Sequence, residues 1–373
     1  MRTVGIVGGY GAVGRVVASA LRRWQVAELR IGGRHMDEAR ALAAGLGAEA
    51  STVDVSDPVS LAGFCAGCAV VVNCAGPSYR VLDSVARAAA GAGADYVDAG
   101  GDDPVYERMA HAALPGVGRV AVLSAGMAPG LTGLLPRWLA THGFTHLDRL
   151  VSYVAARDRF TPAAAGDYLL SLGNGYGEPM AAWSDGRLAP RALEPLREVE
   201  LPFFSGPVTA YPYLSTETRR LAVELGIAEV HWYNVFDTDG QMLAAMSRVR
   251  AQYEMDGDLA AAVAELGRVA DLDLFGRGPR QQFVMRMDGW AGEVPVTRTA
   301  VLRAAGTYHL TGVLTAVAVR EILRGAVPPG LHYAAEVLAP EPAMAEIGRA
   351  EGVAALDVVA GEVAAAAVEE GVL

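Results

Sequence analysis

The sequence predicts an α/β protein: an N-terminal doubly wound parallel sheet, followed by a second α+β domain built on a mostly antiparallel sheet. Three observations carry this. Strand-like and helix-like runs alternate through residues 1–130 at the spacing of strand–helix–strand units. A glycine-rich turn joins the first strand to the first helix. Beyond Gly130 the apolar residues of the strand-like runs recur with period two, as on sheets with one solvated face.

The opening strand, 3–7, runs into Gly8-Gly9-Tyr10-Gly11-Ala12-Val13-Gly14, where glycines 9, 11 and 14 spell G-x-G-x-x-G ahead of an amphipathic helix over 13–23. Gly9 and Gly11 let the backbone turn tightly and approach a pyrophosphate, and Gly14 lets helix and strand pack closely. Tyr10, Ala12 and Val13 complete the cradle, with the positive end of the helix on the phosphates. Such a motif alone is equally a structural turn. Its place between a strand and a helix makes it the fingerprint of a Rossmann domain. The second strand, 28–32, ends at Gly33-Arg34-His35. An NAD site has Asp or Glu here, on the ribose 2′-hydroxyl. Arginine suits a 2′-phosphate, which a guanidinium meets with two parallel N–H bonds. Arg34 therefore favours NADPH as cofactor, the alternative being a solvated loop arginine, and His35 reads as a rim residue.

Asp37 is expected to cap a helix to Leu46, and 50–55 to form the third strand, with Asp54 placed to accept from the adenine amine. Residues 69–73 are a continuous apolar run, typical of a strand buried on both faces. That strand ends in Asn73-Cys74-Ala75-Gly76-Pro77, and the fifth, 95–98, ends in Ala99-Gly100-Gly101-Asp102. The two ends are expected beside the cofactor's ribose and nicotinamide, with Asn73, Ala75, Gly76 and Pro77 as contacts. A sixth strand, 119–124, leads to Gly126-Met127-Ala128-Pro129-Gly130.

A helix over 131–141 opens the second domain. Residues 147–155 and 227–235 alternate as strands, and 281–290 with 295–304 read as a hairpin around Gly289 and Gly292. Helices are expected over 162–172, 216–225, 240–255 and 258–269. The apolar helix 311–324 is expected to pack back on the nucleotide domain, and 341–373 is an acidic, alanine-rich tail read as helical. The domain boundaries are thus 1–130, 131–305 and 306–373.

All 31 cationic side chains among the 373 residues are arginine; there is no lysine. A Walker-type phosphate loop, a Schiff-base lysine and a Tyr-x-x-x-Lys pair are therefore excluded. A net charge of −11 argues against a nucleic-acid partner. No apolar run has membrane-spanning length without charges or glycines breaking it. The first residues lead straight into a strand, so no signal peptide is expected. Cys65, Cys68 and Cys74 include a C-x-x-C without the second ligand pair that zinc requires; no metal site is expected. Three reduced cysteines imply a cytoplasmic protein.

Together these motifs resemble the saccharopine dehydrogenase-like family of NADP-dependent oxidoreductases. The resemblance is carried by residues 8–14, Gly33-Arg34, Val72–Pro77, Tyr96–Asp102, Ala125–Gly130, Tyr308-His309-Leu310-Thr311, Gly325 and Gly330–Glu336. It is good over 1–130 and 295–340 and poor over 140–280, where a substrate is chosen. It implies an inserted sheet domain used for substrate and homodimer contacts, and a site in the cleft between domains. It also implies a reductase, commonly of an imine formed from an amine and a carbonyl, in other members of C=C bonds. Reduction of a C=C or C=O bond is the second enzyme reading, and a non-catalytic NADP sensor is the alternative of a different class.

Hydride comes from the cofactor, so the protein must position the acceptor and guide one proton. Without lysine the candidates are His309 beside Tyr308 at a helix start, His231 on an alternating strand, and Asp98 at a strand end. Each also has a structural reading: a packed histidine, a sheet histidine, a loop cap. Arg157 and Arg159 can hold a substrate carboxylate or form a surface salt bridge. Tyr211-Pro-Tyr213 lies in the same divergent region, and Asn174–Glu178 is either a lid or an ordinary loop.

Overall fold

A computed structural model describes residues 2–172 and 175–361. The described residues form two compact units, neither continuous in sequence: one joins 2–134 with Tyr308–Glu351, the other joins Leu135–Thr307 with 352–361.

The first unit opens with β1 (Thr3–Val7), α1 (Ala12–Trp24), β2 (Glu28–Gly33), α2 (Met36–Leu46), β3 (Glu49–Thr52) and α3 (Pro58–Cys65). It continues with β4 (Val70–Asn73), α4 (Ser78–Val81), α5 (Ser84–Gly91), β5 (Asp95–Asp98), α6 (Asp103–His111) and β6 (Val120–Leu123). The helix α7 (Leu131–Ala140) leads to the second unit. That unit contains β7 (His146–Arg157), α8 (Pro162–Ser171), β8 (Gly177–Pro179), β9 (Ala182–Ser184), β10 (Arg187–Ala189) and β11 (Leu196–Val199). Then come β12 (Val208–Ser215), α9 (Thr216–Glu224), β13 (Glu229–Asp237), α10 (Met242–Asp256), α11 (Leu259–Leu274), β14 (Arg280–Ala291) and β15 (Val294–Ala304). The chain returns through α12 (Thr307–Arg324), β16 (Gly330–Tyr333), α13 (Ala334–Val337) and α14 (Pro340–Gly348), and closes the second sheet with β17 (Val353–Ala360).

The first sheet has the order β16-β6-β5-β4-β1-β2-β3, all parallel. This is the doubly wound arrangement the sequence predicts. Strand order reverses between β1 and β4, the point outside which such sheets bind ligands. Its core follows from composition: β4 is Val-Val-Val-Asn, buried throughout. Phe64 of α3 packs onto strands thinned by glycine, since a Cβ on Gly32 would lie 2.4 Å from its ring. The helix α12 is no amphipathic surface helix. It buries 12 of its 18 residues, and Gly312 admits α1 so closely that a Cβ would stand 2.4 Å from Val16. Arg320 ties the same helix down, over the Trp24 ring at 4.6 Å and paired with Glu346 at 3.0 Å.

The second sheet is mostly antiparallel, as expected, with the path β10-β9-β13-β7-β14-β15-β17 and β12, β11 and β8 attached beside it. Its β7–β13 pair is parallel. The hairpin β14–β15 turns on Gly292-Glu293, with φ +64° at Gly292 as a two-residue turn of the II′ kind needs. Gly289 lies within β14 at a bulge, where a Cβ would meet the His146 carbonyl at 2.2 Å.

Several expectations are corrected. The third strand ends at Thr52, because the chain turns at Asp54. The residue capping α2 is His35; Asp37 lies inside its first turn. The segment 306–373 does not return whole to the nucleotide domain as helices: it supplies β16, a seventh parallel strand, and then β17, which pairs with β15. Residues 362–373 of the tail lie outside the described residues. Among the described residues no helix is long and apolar enough to cross a membrane.

Candidate cofactor and active site

The turn from β1 to α1 is shaped by close approach. Gly8 has φ +73°, and a Cβ on it would lie 2.9 Å from the Ala75 amide and the Cys74 carbonyl. The loops after β1 and β4 are therefore in contact at the switch point. Gly14 is tighter: its Cβ would stand 2.3 Å from the Gly8 carbonyl. Gly9 donates to Gly32 at 2.9 Å and Gly11 to Gly8 at 3.0 Å. Gly11 caps α1 without a side chain, and no acid occupies the first turn. The leading amides of Ala12, Val13 and Gly14 precede any intrahelical acceptor. No acid of the first turn competes for this positive helix end, which fits a pyrophosphate.

The Arg34 loop stands beside this turn. Gly33 accepts from Val53 at 3.0 Å, and the His35 amide donates to the Tyr10 hydroxyl at 3.0 Å. Arg34 itself is exposed. Asp54 accepts from the hydroxyl and the amide of Ser56, at 2.7 and 2.9 Å on one oxygen. Those bonds, with the Arg34 charge adding to them, hold its carboxyl below the usual range.

At the ends of β4 and β5 lies a polar network. Asn73 is buried; its amide donates to Asp98 at 3.1 Å and its oxygen accepts from Ala75 at 3.1 Å. The second site segment thus continues from Asn73 through Ala75 to Gly76 and Pro77, joined by a cis peptide. Asp98 is 1% exposed and also accepts from Tyr96 at 2.5 Å, Gly100 at 3.0 Å and Gly101 at 2.8 Å. Four donors saturate this carboxylate. Asp98, expected as a catalytic candidate, is instead the hub that holds the two strand ends together. Burial and the neighbouring Asp98 charge push the Tyr96 hydroxyl and the Cys74 thiol well above their ordinary ranges. The neighbouring Tyr79 hydroxyl donates to Asp102 at 2.8 Å.

The other catalytic candidates lie elsewhere. Tyr308 and His309 are half-buried in the first turn of α12. Burial lowers the His309 pKa; the charges that reach it are Glu351 and Arg23, neither at the strand ends. Two residues on, Thr311 accepts from the Met127 amide at 3.2 Å, and Thr315 donates to Ala125 at 2.8 Å, tying α12 to the loop after β6. His231, in the second unit, is a sheet histidine. Its Nδ1 accepts from Arg149 at 3.2 Å and its Nε2 stands 3.8 Å from Glu229. Burial, then Arg149, lowers its pKa. Its Nδ1 is taken by Arg149 of the neighbouring strand and Glu229 of its own strand lies near Nε2, which favours its reading as a sheet histidine. Arg157 is likewise consumed, by Asp237 at 2.6 Å and the Gly278 carbonyl at 3.0 Å, so it is no carboxylate clamp. Tyr211 and Tyr213 lie on β12, Tyr213 stacked with Tyr176 at 6.2 Å. Asn174 lies outside the described residues, while Gly177 and Glu178 are paired into β8 and so form no lid. The C-x-x-C pair is buried, and burial pushes the Cys65 thiol up to about 12, which makes it inert.

Residues 4–115 match the model of the saccharopine dehydrogenase NADP-binding domain. This nucleotide domain is saccharopine dehydrogenase-like. The match covers less than a third of the chain and marks this segment as an NADP-binding domain of that type, with NADPH as its cofactor. The fold superimposes on that of saccharopine dehydrogenase (L-Glu forming) from Saccharomyces cerevisiae, TM-score 0.70, 18% identity, covering 97% of this chain and 100% of the other. At that identity the likeness establishes the fold. GenD2 from gentamicin A biosynthesis aligns over 97% of both chains at 13% identity, with a TM-score of 0.46. No curated protein matches the chain by sequence.

The saccharopine dehydrogenase-like domain shows what motif reading missed. The Tyr10 hydroxyl, the Asp98 hub and the Thr311 anchor all act on backbone amides. Only Asp98 leaves a local signal, an aspartate followed two and three residues later by glycines whose amides can reach back to it.

Proposed function

We propose that the protein is an NADPH-dependent reductase of a small-molecule C=N bond, taking an amino-acid-derived imine, a class that includes thiazoline-type heterocycles of biosynthetic pathways. The observation that best supports this is the chemistry at the ends of β4 and β5. Tyr96 and Cys74 are pushed away from acidity and Asp98 is saturated. Neither Tyr96 nor Cys74 offers a proton near neutral pH, four donors occupy Asp98, and the chain has no lysine. A carbonyl acceptor needs a strong donor at its oxygen. A protonated imine already carries its proton and asks the protein for position and exclusion of water.

NADPH supplies the hydride when bound. We assign the 2′-phosphate to Arg34, the adenine amine to Asp54 and the pyrophosphate to the amides along Gly9, Tyr10, Gly11, Ala12, Val13 and Gly14. Ribose and nicotinamide fall to Asn73, Ala75, Gly76 and Pro77. Tyr308 and His309 are the residues we assign to guiding a proton; burial lowers the His309 pKa. We read the second domain as choosing the substrate and forming a homodimer, and the unpaired cysteines as suited to a reducing, cytoplasmic setting.

Fluorescence titration with NADPH and NADH tests the cofactor half. Arg34→Ala is expected to weaken NADPH about 10- to 100-fold, the worth of a charge-assisted bond, and to leave NADH unchanged. Turnover of an imine panel with deuterated NADPH tests the rest: label on the carbon attached to nitrogen supports the proposal. Label across a former C=C or C=O bond, or binding without turnover of any acceptor, sinks it.

A further inference from the structure

The Arg34 loop is held at three points. The Gly32 carbonyl accepts from Gly9 at 2.9 Å, the Gly33 carbonyl accepts from Val53 at 3.0 Å, and the His35 amide donates to the Tyr10 hydroxyl at 3.0 Å. The first two are backbone bonds of the sheet and the glycine turn. The third is the side-chain brace, and it comes from inside the glycine motif. The Tyr10 ring also fills the space where a side chain on residue 33 would begin: a Cβ on Gly33 would lie 2.2 Å from its Cε1 and 2.7 Å from its Oη. Gly33 is absent from the positive-φ glycines, so the ring and not the backbone requires glycine there. Tyr10 is fixed in turn, its carbonyl accepting from the Arg15 Nε at 2.6 Å.

We propose that Tyr10 is a positioning residue for cofactor choice: its hydroxyl and ring set the Arg34 loop at the distance from the glycine turn at which Arg34 meets a 2′-phosphate. This rests on the assignment of Arg34 given above. A loop without the brace must be ordered when the cofactor binds, at a cost to affinity. Only a cofactor that uses Arg34 bears that cost. NADH has no 2′-phosphate and serves as the internal control for folding and for the pyrophosphate cradle.

The test measures NADPH and NADH dissociation constants for the full chain and for Tyr10→Phe, Gly33→Ala, Arg34→Ala and the Tyr10→Phe/Arg34→Ala double variant. Tyr10→Phe keeps the ring and loses one hydrogen bond. It is expected to weaken NADPH about three- to ten-fold and leave NADH unchanged. Gly33→Ala displaces the ring and is expected to lose selectivity in the same direction. In the double variant the Tyr10 change is expected to add nothing, because the residue it positions is gone. Equal weakening of both cofactors, no change with NADPH, or additivity in the double variant overturns the proposal. If Arg34→Ala alone leaves the NADPH preference intact, the Arg34 assignment has failed and the Tyr10 role falls with it. If Arg34→Ala collapses the preference and Tyr10→Phe does not, the Tyr10 role alone is wrong.

Discussion

Asp98 accepts from a side-chain amide, a phenol and two peptide groups while almost wholly buried. Replacing it by alanine leaves four donors without a partner in a place water reaches poorly. Each unpaired buried donor costs about 1–3 kcal/mol, so Asp98→Ala is expected to destabilise by roughly 3–5 kcal/mol with some relaxation, read as a lowered Tm. Tyr96→Phe removes one donor and is expected to cost only about 1 kcal/mol. The histidines give a pH signature. His231 and His309 have pKa values lowered from 6.5, both chiefly by burial. In the unfolded chain they bind protons more readily than in the folded one, so their contribution is complete above about pH 6.5 and is lost as pH falls toward the lowered values. Tm measured from pH 7.5 to 5.5 is expected to decline, and His231→Gln to flatten that decline. An unchanged slope would mean that His231 does not titrate differently on folding.

The element β1–turn–α1 was legible because everything it needs is contiguous: an apolar strand, spaced glycines and an amphipathic helix. Gly14→Ala is expected to drive α1 off the turn and weaken NADPH at least ten-fold, since its Cβ would be 2.3 Å from the Gly8 carbonyl. Gly63 lies in α3 with nothing within 4 Å of a Cβ. Gly63→Ala is expected to raise stability by about 0.5–1 kcal/mol in a denaturation curve. The third strand was misread through Val55 because Val53 and Val55 keep the apolar alternation, while the Asp54–Ser56 bonds turn the backbone; a local side-chain bond beat periodicity. The short strands β16 and β17 were illegible as strands. Their pairing partners, β6 and β15, are far away in sequence, and neither has a turn signal linking it to its neighbour.

The same division holds for the whole molecule. The NADP-binding domain could be read, since the residues we assign to the cofactor, Gly9 to Gly14, Arg34 and Asn73 to Pro77, each sit in a short motif. The proton-guiding half could not, because it depends on which distant side chains meet. His231 and His309 look alike in sequence and are both lowered chiefly by burial; only their charged neighbours separate them, Arg149 and Glu229 against Glu351 and Arg23. The nucleotide unit is itself discontinuous, so a chain ending at Thr307 lacks α12 and β16 and bares one edge of β6 and a face of α1. Such a chain is expected to bind no NADPH and to show a broadened unfolding transition, by titration and circular dichroism. Full binding by that truncated form would mean that residues 308–351 are dispensable.

That discontinuity also orders events during synthesis. Ribosomes release the chain from its N-terminus, so β6 emerges some 200 residues before β16, its neighbour in the sheet. Until then a row of its backbone amides and carbonyls stands unpaired, the kind of edge that recruits other strands. The inserted unit, whose residues 135–307 emerge before the host's residues 308–351, can fold nearly entirely while its host waits. Nascent copies of this protein are therefore expected to be most prone to aggregation, and most dependent on chaperones, in the interval before Tyr333 leaves the exit tunnel.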